Sequence, residues 1–425
     1  MLPLHHWFFW LFAFFYLLYH LVEFGLDVLN LQELKKHQDQ IPSLFREHFS
    51  LQDYQKSIAY TRAKTHYGWA VTAFDVLVLL TLIFSGAFYK LYELLGKVFP
   101  GDSLLHLVSY PLAFAGILYV LKLPFDIYFQ FGLEEKFGFN KMKAGTFIAD
   151  QIKTMLISLI VGVPLLSLIF WLVQKLGNVW WLAAFGVMVV FQLLTAALFP
   201  ILLAPLFYKF TPLEEGELKN RLEALAQKIQ FKMSGVFTID GSKRSSHSNA
   251  FFAGIGKTRR IVLFDTLIKN LSTDEIVSVI AHEMGHNKKK HILKGLITST
   301  WSTLLALFVL AQLLHWQPFF WAFGVPEANL AIGFVLFGLV SGVFTFPTQP
   351  LFQWISRKHE YEADRFSIEI VHDKKAMASS LLKLSKDNLS NLTPHPWYSF
   401  YHYSHPTTTE RVRAIEAFSP ESGAA

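Results

Sequence analysis

Ser272-Thr273-Asp274-Glu275-Ile276-Val277-Ser278-Val279-Ile280-Ala281-His282-Glu283-Met284-Gly285-His286 opens with a helix-capping signal and closes with a metal-binding one. In a capping box the serine accepts from a free backbone N–H and the glutamate reaches back to the cap. A helix is therefore expected from Ser272 through His286. Residues four apart share a helical face, so His282 and His286 can present two imidazoles to one ion. In H-E-x-x-H the intervening Glu283 serves as base toward the attacking water, and the ion such a pair holds in metalloproteases is Zn²⁺. The bland alternative is a chance match in a chain with 17 histidines. The capped helix argues against chance.

Outward from this stretch the chain is membrane-like. Of 425 residues, 52% are hydrophobic and 16% charged, against about 25% charged in soluble chains. A bilayer core needs about 20 mostly apolar residues per helix. Seven stretches qualify, from about Trp7 to Leu26, Ala70 to Leu95, Leu104 to Phe129, Ile152 to Val173, Trp180 to Leu206, Leu293 to Leu314 and Ala328 to Trp354. The first lacks the basic region and cleavage site of a signal peptide and reads as a retained helix. There is no cysteine, which excludes disulfide scaffolds, thiolate ligands and cysteine nucleophiles.

Lysine and arginine set the orientation. The loop after the first stretch holds Lys35, Lys36, Arg46, Lys56, Arg62 and Lys64, and the loop after the third holds Lys136, Lys141 and Lys143. The second loop has Lys90 and Lys97, the fourth Lys175, and His315 to Glu327 has none. Odd-numbered loops are then cytoplasmic by the positive-inside rule. Two non-membrane segments fall on that side and are expected to fold together. The division is 1–206, five membrane helices with their loops; 207–290, the first part of a small α+β protease domain; 291–355, two further membrane helices; and 356–425, the second part with the tail. Within 207–290 the pattern predicts a polar helix over Leu213–Gln230 and strands at Gly235–Ile239 and Arg260–Phe264. Asp75 and Asp126 fall in or near membrane helices, where charge is costly. The net charge of +6 is spread over loops and no motif supports nucleic-acid binding.

A catalytic zinc held by two histidines is one protein ligand short, and His₂Glu plus water is a catalytic set. Ser356-Arg357-Lys358-His359-Glu360-Tyr361-Glu362-Ala363-Asp364 offers candidates. Glu360 and Asp364 share a helical face and Glu362 points elsewhere. On the residues alone, Glu360, Glu362 and His359 compete, beside a solvated charge run. With Glu360 as ligand, Asp364 becomes the acceptor that orients a ligand histidine.

The chain resembles the type I CAAX prenyl endopeptidases, membrane zinc proteases of the a-factor-converting type. The resemblance rests on Glu134-Glu135-Lys136-Phe137-Gly138-Phe139-Asn140, Ala204-Pro205-Leu206-Phe207, Phe210-Thr211-Pro212-Leu213, Gly241 to Ala250, Arg260 to Leu267, the His282–His286 motif, Ser356–Asp364 and His405-Pro406, all in order. It implies seven membrane helices around an enclosed chamber, capped by a zincin domain. It also implies one Zn²⁺ on His282, His286 and Glu360, with Glu283 as base. Asn249 and Ala250 match the edge strand that pairs with substrate, and His405 and Arg411 match residues beside the metal, where an N–H donor or cation would stabilise the oxyanion. The implied partners are the bilayer and a prenylated peptide or protein that loses its last three residues. The bland alternatives are a Ser/Asn turn at Asn249 and surface roles for His405 and Arg411.

Nothing in the sequence reads a prenyl group, and the chain ends Ser-Gly-Ala-Ala without a lysine-based retrieval signal. A bacterial relative in an inner membrane is therefore carried beside an endoplasmic-reticulum enzyme, and a quality-control protease without prenyl requirement is the second enzymatic reading. The reading from another class is a transporter or scaffold with a closed structural zinc, for which His291 or His405 would supply the fourth ligand.

Overall fold

The computed structural model describes residues 3–100, 103–253 and 259–419. The membrane-facing part begins with α1 (Trp7–His37), α2 (Leu51–Ser85), the short α3 (Ala87–Gly96) and α4 (Leu104–Tyr128). A π-helical turn leads from α4 into α5 (Glu135–Phe137), and α6 (Ala144–Leu176) and α7 (Trp180–Leu198) follow. Among the described residues, six stretches are long and apolar enough to cross a membrane. One of these, Ala144–Leu206, is 63 residues long. A helix of that length would reach about 95 Å, roughly three times the hydrocarbon core. The chain instead turns at Gly177, whose φ of +53° suits glycine, and α6 packs back on α7. Two of the seven expected spans thus share one stretch.

The protease part inserts next, with β1 (Phe210–Pro212), α8 (Glu217–Lys228), β2 (Gly235–Ile239), β3 (Ala250–Ala253), β4 (Arg260–Phe264), α9 (Asp265–Asn270) and α10 (Thr273–Lys288). The sheet order is β1-β2-β4-β3, with β2 and β4 parallel and both outer pairs antiparallel. Among the described residues, β3 lies at an edge of the sheet, paired on one side only. α11 (His291–Leu313), α12 (Gln317–Trp321) and α13 (Leu330–Thr345) return through the apolar region. α14 (Gln349–Val371) then runs unbroken across residues 355 and 356, where the sequence suggested a boundary. α15 (Lys374–Asp387), α16 (Pro396–His402) and α17 (Thr408–Ala417) complete the described chain.

Several of the apolar helices are packed at their ends and not in their middles, whereas α13 carries buried residues from Ala331 to Val343. One core joins Phe8, Phe12, Phe88, Tyr110, Phe170, Trp180, Phe320 and Leu336 at one end of the bundle. Yet residues 13–29 of α1, 66–82 of α2, 144–168 of α6 and 292–309 of α11 include no buried position. A solid bundle buries a stripe of each helix along its whole length. These helices therefore leave space along their middles that their own side chains do not fill. Polar groups at that level pair with one another: Lys122 Nζ lies 3.0 Å from Asp75 Oδ2, and Gln192 Nε2 donates to Thr303 Oγ1 at 2.9 Å.

At the other end the apolar helices and the protease part share a core. Leu34, Phe45, Phe49, Tyr54 and Ile58 from the first two helices and their loop pack with Ile368, Met377, Leu381, Leu392, Val412 and Ile415. Asn30, fully buried, accepts from Asn391 Nδ2 at 3.0 Å and from the His395 backbone N–H at 3.2 Å.

Candidate active site

The capping box at Ser272 is present. Ser272 Oγ accepts from the Glu275 N–H at 3.3 Å, and the Ser272 N–H donates to Glu275 at 2.8 Å. Glu275 is also held by Ser379 Oγ at 2.6 Å and Lys383 Nζ at 2.8 Å, which ties the start of α10 to α15. The buried face of α10 carries Ile276, Ile280 and Met284 into the core under the sheet. Its opposite side meets α14. Gly285 makes that crossing close: a Cβ there would lie 3.1 Å from the Ala363 Cα and 3.1 Å from the Phe366 ring.

This close crossing brings His282, His286 and Glu360 together. The two Nε2 atoms are 3.2 Å apart, His286 Nε2 lies 3.2 Å from Glu360 Oε1, and His282 Nε2 lies 3.4 Å from Glu360 Oε2. Such separations are edges of a tetrahedron with a centre about 2 Å from each corner, the Zn–N and Zn–O bond length. Glu360 Oε2 is buried without a hydrogen-bond partner. Burial opposes charge on His282, but the Asp364 and Glu360 carboxylates beside it outweigh burial and push its pKa up to about 9. The donors and their negative field fit a divalent cation. Among the described residues the potential ligand group has these three members only, which would leave a bound ion a position for water or substrate.

Each histidine is fixed through its other nitrogen. His282 Nδ1 is 2.8 Å from Asp364 Oδ1. Arg411, buried, forks onto Asp364 at 2.8 and 2.6 Å and comes within 3.5 Å of Glu360. His286 Nδ1 lies 3.1 Å from His291 Nδ1, and His291 Nε2 lies 3.0 Å from Glu362. His359 stacks on His291 with ring centres 3.9 Å apart. Of the three residues that competed in sequence, Glu360 alone joins the ligand group. His291, considered as a fourth ligand, instead stands behind His286. The His291–Glu362 support was missed. The only sequence signal was a histidine five positions after His286, and its partner lies 71 residues further on.

Burial pushes the Glu283 carboxyl above its ordinary value against the pull of His282 and His286, a direction that suits a general base. His405 is 63% exposed, with Nε2 3.4 Å from Glu360 Oε1. Ala250 opens β3, which packs on α10. Asn249 precedes it and its backbone carbonyl accepts from the Phe264 N–H at 3.1 Å. Glu134 is buried, accepts from Tyr60 Oη at 2.6 Å and lies 3.4 Å from His247 Nε2. It thereby joins α2 and the loop after α4 to the segment leading into β3.

A metal site of two histidines and a glutamate, a carboxylate base between the histidines and membrane-length helices on both sides define a multi-pass membrane metalloendopeptidase. Residues 30–209 match the family model for the CAAX prenyl protease N-terminal region with five membrane helices, and residues 212–419 match peptidase family M48. The chain is 35% identical over 415 residues to CAAX prenyl protease 1 of Saccharomyces cerevisiae, covering 91% of each. It is 34% identical to the Arabidopsis thaliana homolog, covering 95% of this chain and 96% of the relative. The crystal structure of S. mikatae Ste24p superposes with a TM-score of 0.89 at 33% identity, covering 95% of this chain and 98% of the other. The chain belongs to peptidase family M48, in its CAAX prenyl protease 1 branch.

Proposed function

We propose that this chain is a Zn²⁺ endopeptidase that removes the C-terminal tripeptide from prenylated CAAX proteins or peptides. The observation that carries the proposal is the His282–His286–Glu360 donor triangle beside Glu283; the substrate class is supported by what the relatives are called. His282, His286 and Glu360 would hold the ion. When bound, Zn²⁺ supplies Lewis acidity to the scissile carbonyl and to the attacking water. Glu283 takes the proton from that water and returns it to the leaving amine. Substrate adds as a strand to the free edge of β3 at Asn249 and Ala250. His405, exposed beside Glu360, donates an N–H toward the oxyanion. Arg411 is committed to Asp364 and Glu360, which favours a positioning role over direct contact with substrate.

Seven crossings follow if Ala144–Leu206 crosses twice. The basic odd-numbered loops then put the protease domain, residues 207–290 and 356–425, on the cytoplasmic side of an endoplasmic-reticulum or bacterial inner membrane. Residues 1–206 and 291–355 supply the membrane helices, and the space along their middles is the chamber.

The test compares wild type with Glu283→Ala for zinc content and for cleavage of a quenched farnesylated CAAX peptide. The expected result is about one zinc in both proteins and a loss of cleavage by about two orders of magnitude or more in the variant. Zinc without cleavage in wild type would favour unprenylated membrane substrates and a quality-control role. Equal cleavage by both proteins would remove Glu283 from the mechanism.

A further inference from the structure

We propose that Lys64 binds the C-terminal carboxylate of the substrate, in the cavity that receives the residues downstream of the cut. This rests on the peptidase reading above and extends it from the reacting bond to the end of the chain being cut.

Three observations lead there. The first is a cavity of about 650 Å³ between α2 and the segment 388–408, within the size range of sites for small ligands. His405 is in its wall, and His405 Nε2 is 3.4 Å from the ligand Glu360. The cavity therefore lies against a residue that borders the candidate reacting centre.

The second is chain direction. A substrate strand antiparallel to β3 has its downstream residues beyond the amino-terminal end of β3, toward Asn249, Ser248 and His247. His247 Nδ1 is 2.9 Å from Asn388 Oδ1, and Asn388 lines the cavity. A peptide seated antiparallel on β3 would thus direct its carboxyl end toward this space.

The third is charge. A CAAX peptide cut near its end brings a carboxylate into the site, and a buried carboxylate needs a cation or several donors. Among the described residues that line the cavity, Lys64 is the one lysine or arginine. Its ammonium sits 5.0 Å above the Tyr60 ring. The nearby Glu134 feels its charge but is already bonded to Tyr60 and His247. Asp27, the acidic residue of the lining, accepts from Trp69 Nε1 at 2.7 Å. A cation held in this cavity would act as a ruler: it would count the residues between cut and terminus, and an extended or neutral end would be bound less well.

The test uses the full zinc-loaded chain in detergent and a quenched farnesylated CAAX peptide made as free acid and as C-terminal amide. Wild type should prefer the acid by about tenfold or more in kcat/KM, as expected for a charge-assisted hydrogen bond. Lys64→Met should bring the acid-to-amide ratio close to one with zinc content intact, mainly through KM, and Lys64→Arg should restore much of the preference. If wild type cuts acid and amide equally, or Lys64→Met slows both by the same factor, the carboxylate assignment is wrong while the peptidase reading stands. If wild type cuts neither peptide, the CAAX reading itself fails and this inference falls with it.

Discussion

At the scale of single residues, the two candidate metal-binding histidines are steadied by different devices. Behind His282 stands a buried carboxylate, Asp364, clamped by Arg411. Behind His286 stands a second histidine, His291, whose far nitrogen meets the half-exposed Glu362. Such outer contacts fix ring orientation and raise ligand basicity, and their loss costs about 10–100-fold in metal affinity. Asp364→Asn should lie at the severe end, because it also leaves the Arg411 guanidinium buried against a neutral amide. Glu362→Gln should lie near tenfold, because water replaces part of the contact. Competition with a graded zinc chelator reads both. Equal affinity in Glu362→Gln and wild type would reduce the His291 contact to packing. The sequence made His282, Glu283 and His286 readable because helical spacing carries their chemistry. It narrowed the third ligand to three residues and the family resemblance selected among them. It could not reach His291–Glu362, because no periodicity links side chains on two helices separated by a membrane excursion.

At the scale of elements, the site depends on how closely α10 and α14 approach. Gly285→Ala raises the helix propensity of α10 by about 1 kcal/mol. The new methyl meets backbone at Ala363 and the root of Phe366, neither of which is the free end of a flexible side chain. Overpacking of this kind costs about 1–3 kcal/mol, so the crossing term should win. The helices move apart, and Glu360 leaves His282 and His286. The variant is expected to unfold at lower temperature and to hold zinc less tightly than wild type, as read by a thermal melt with and without chelator. A more stable variant with normal zinc affinity would mean that the crossing relaxes at no cost to the site. Element boundaries show what a hydropathy reading detects. The span expected from Ala70 belongs to a helix that starts at Leu51 behind its own capping box, Ser50 with Asp53. The span expected to end at Trp354 continues as α14 to Val371. Hydropathy finds the bilayer-length apolar part of a helix and is silent on the polar turns that carry Tyr60, Lys64 and Glu360 beyond it. The strands β2 and β4 were legible from their β-branched runs. β1, three residues long, offered too short a pattern.

At the scale of the whole molecule, the protease part is built into the ends of the apolar helices. The shared core of Leu34, Phe45, Tyr54 and Ile58 with Ile368, Met377, Val412 and Ile415 also holds the turns of α14 and α17 that carry Asp364 and Arg411. Nothing in the sequence marks this junction, since its members come from a basic loop, a helix start and a distant tail with no common spacing. Phe45 is fully buried there among apolar side chains. Phe45→Ala should cost about 3–5 kcal/mol by removing a buried ring and leaving a cavity. Because the same core supports α14 and α17, the loss should appear as faster release of zinc to a chelator and as a single melting transition at lower temperature. Retention of zinc at the wild-type rate, with only part of the melt shifted, would show instead that the membrane helices and the protease part unfold as separate units and that the junction holds them together without setting the site.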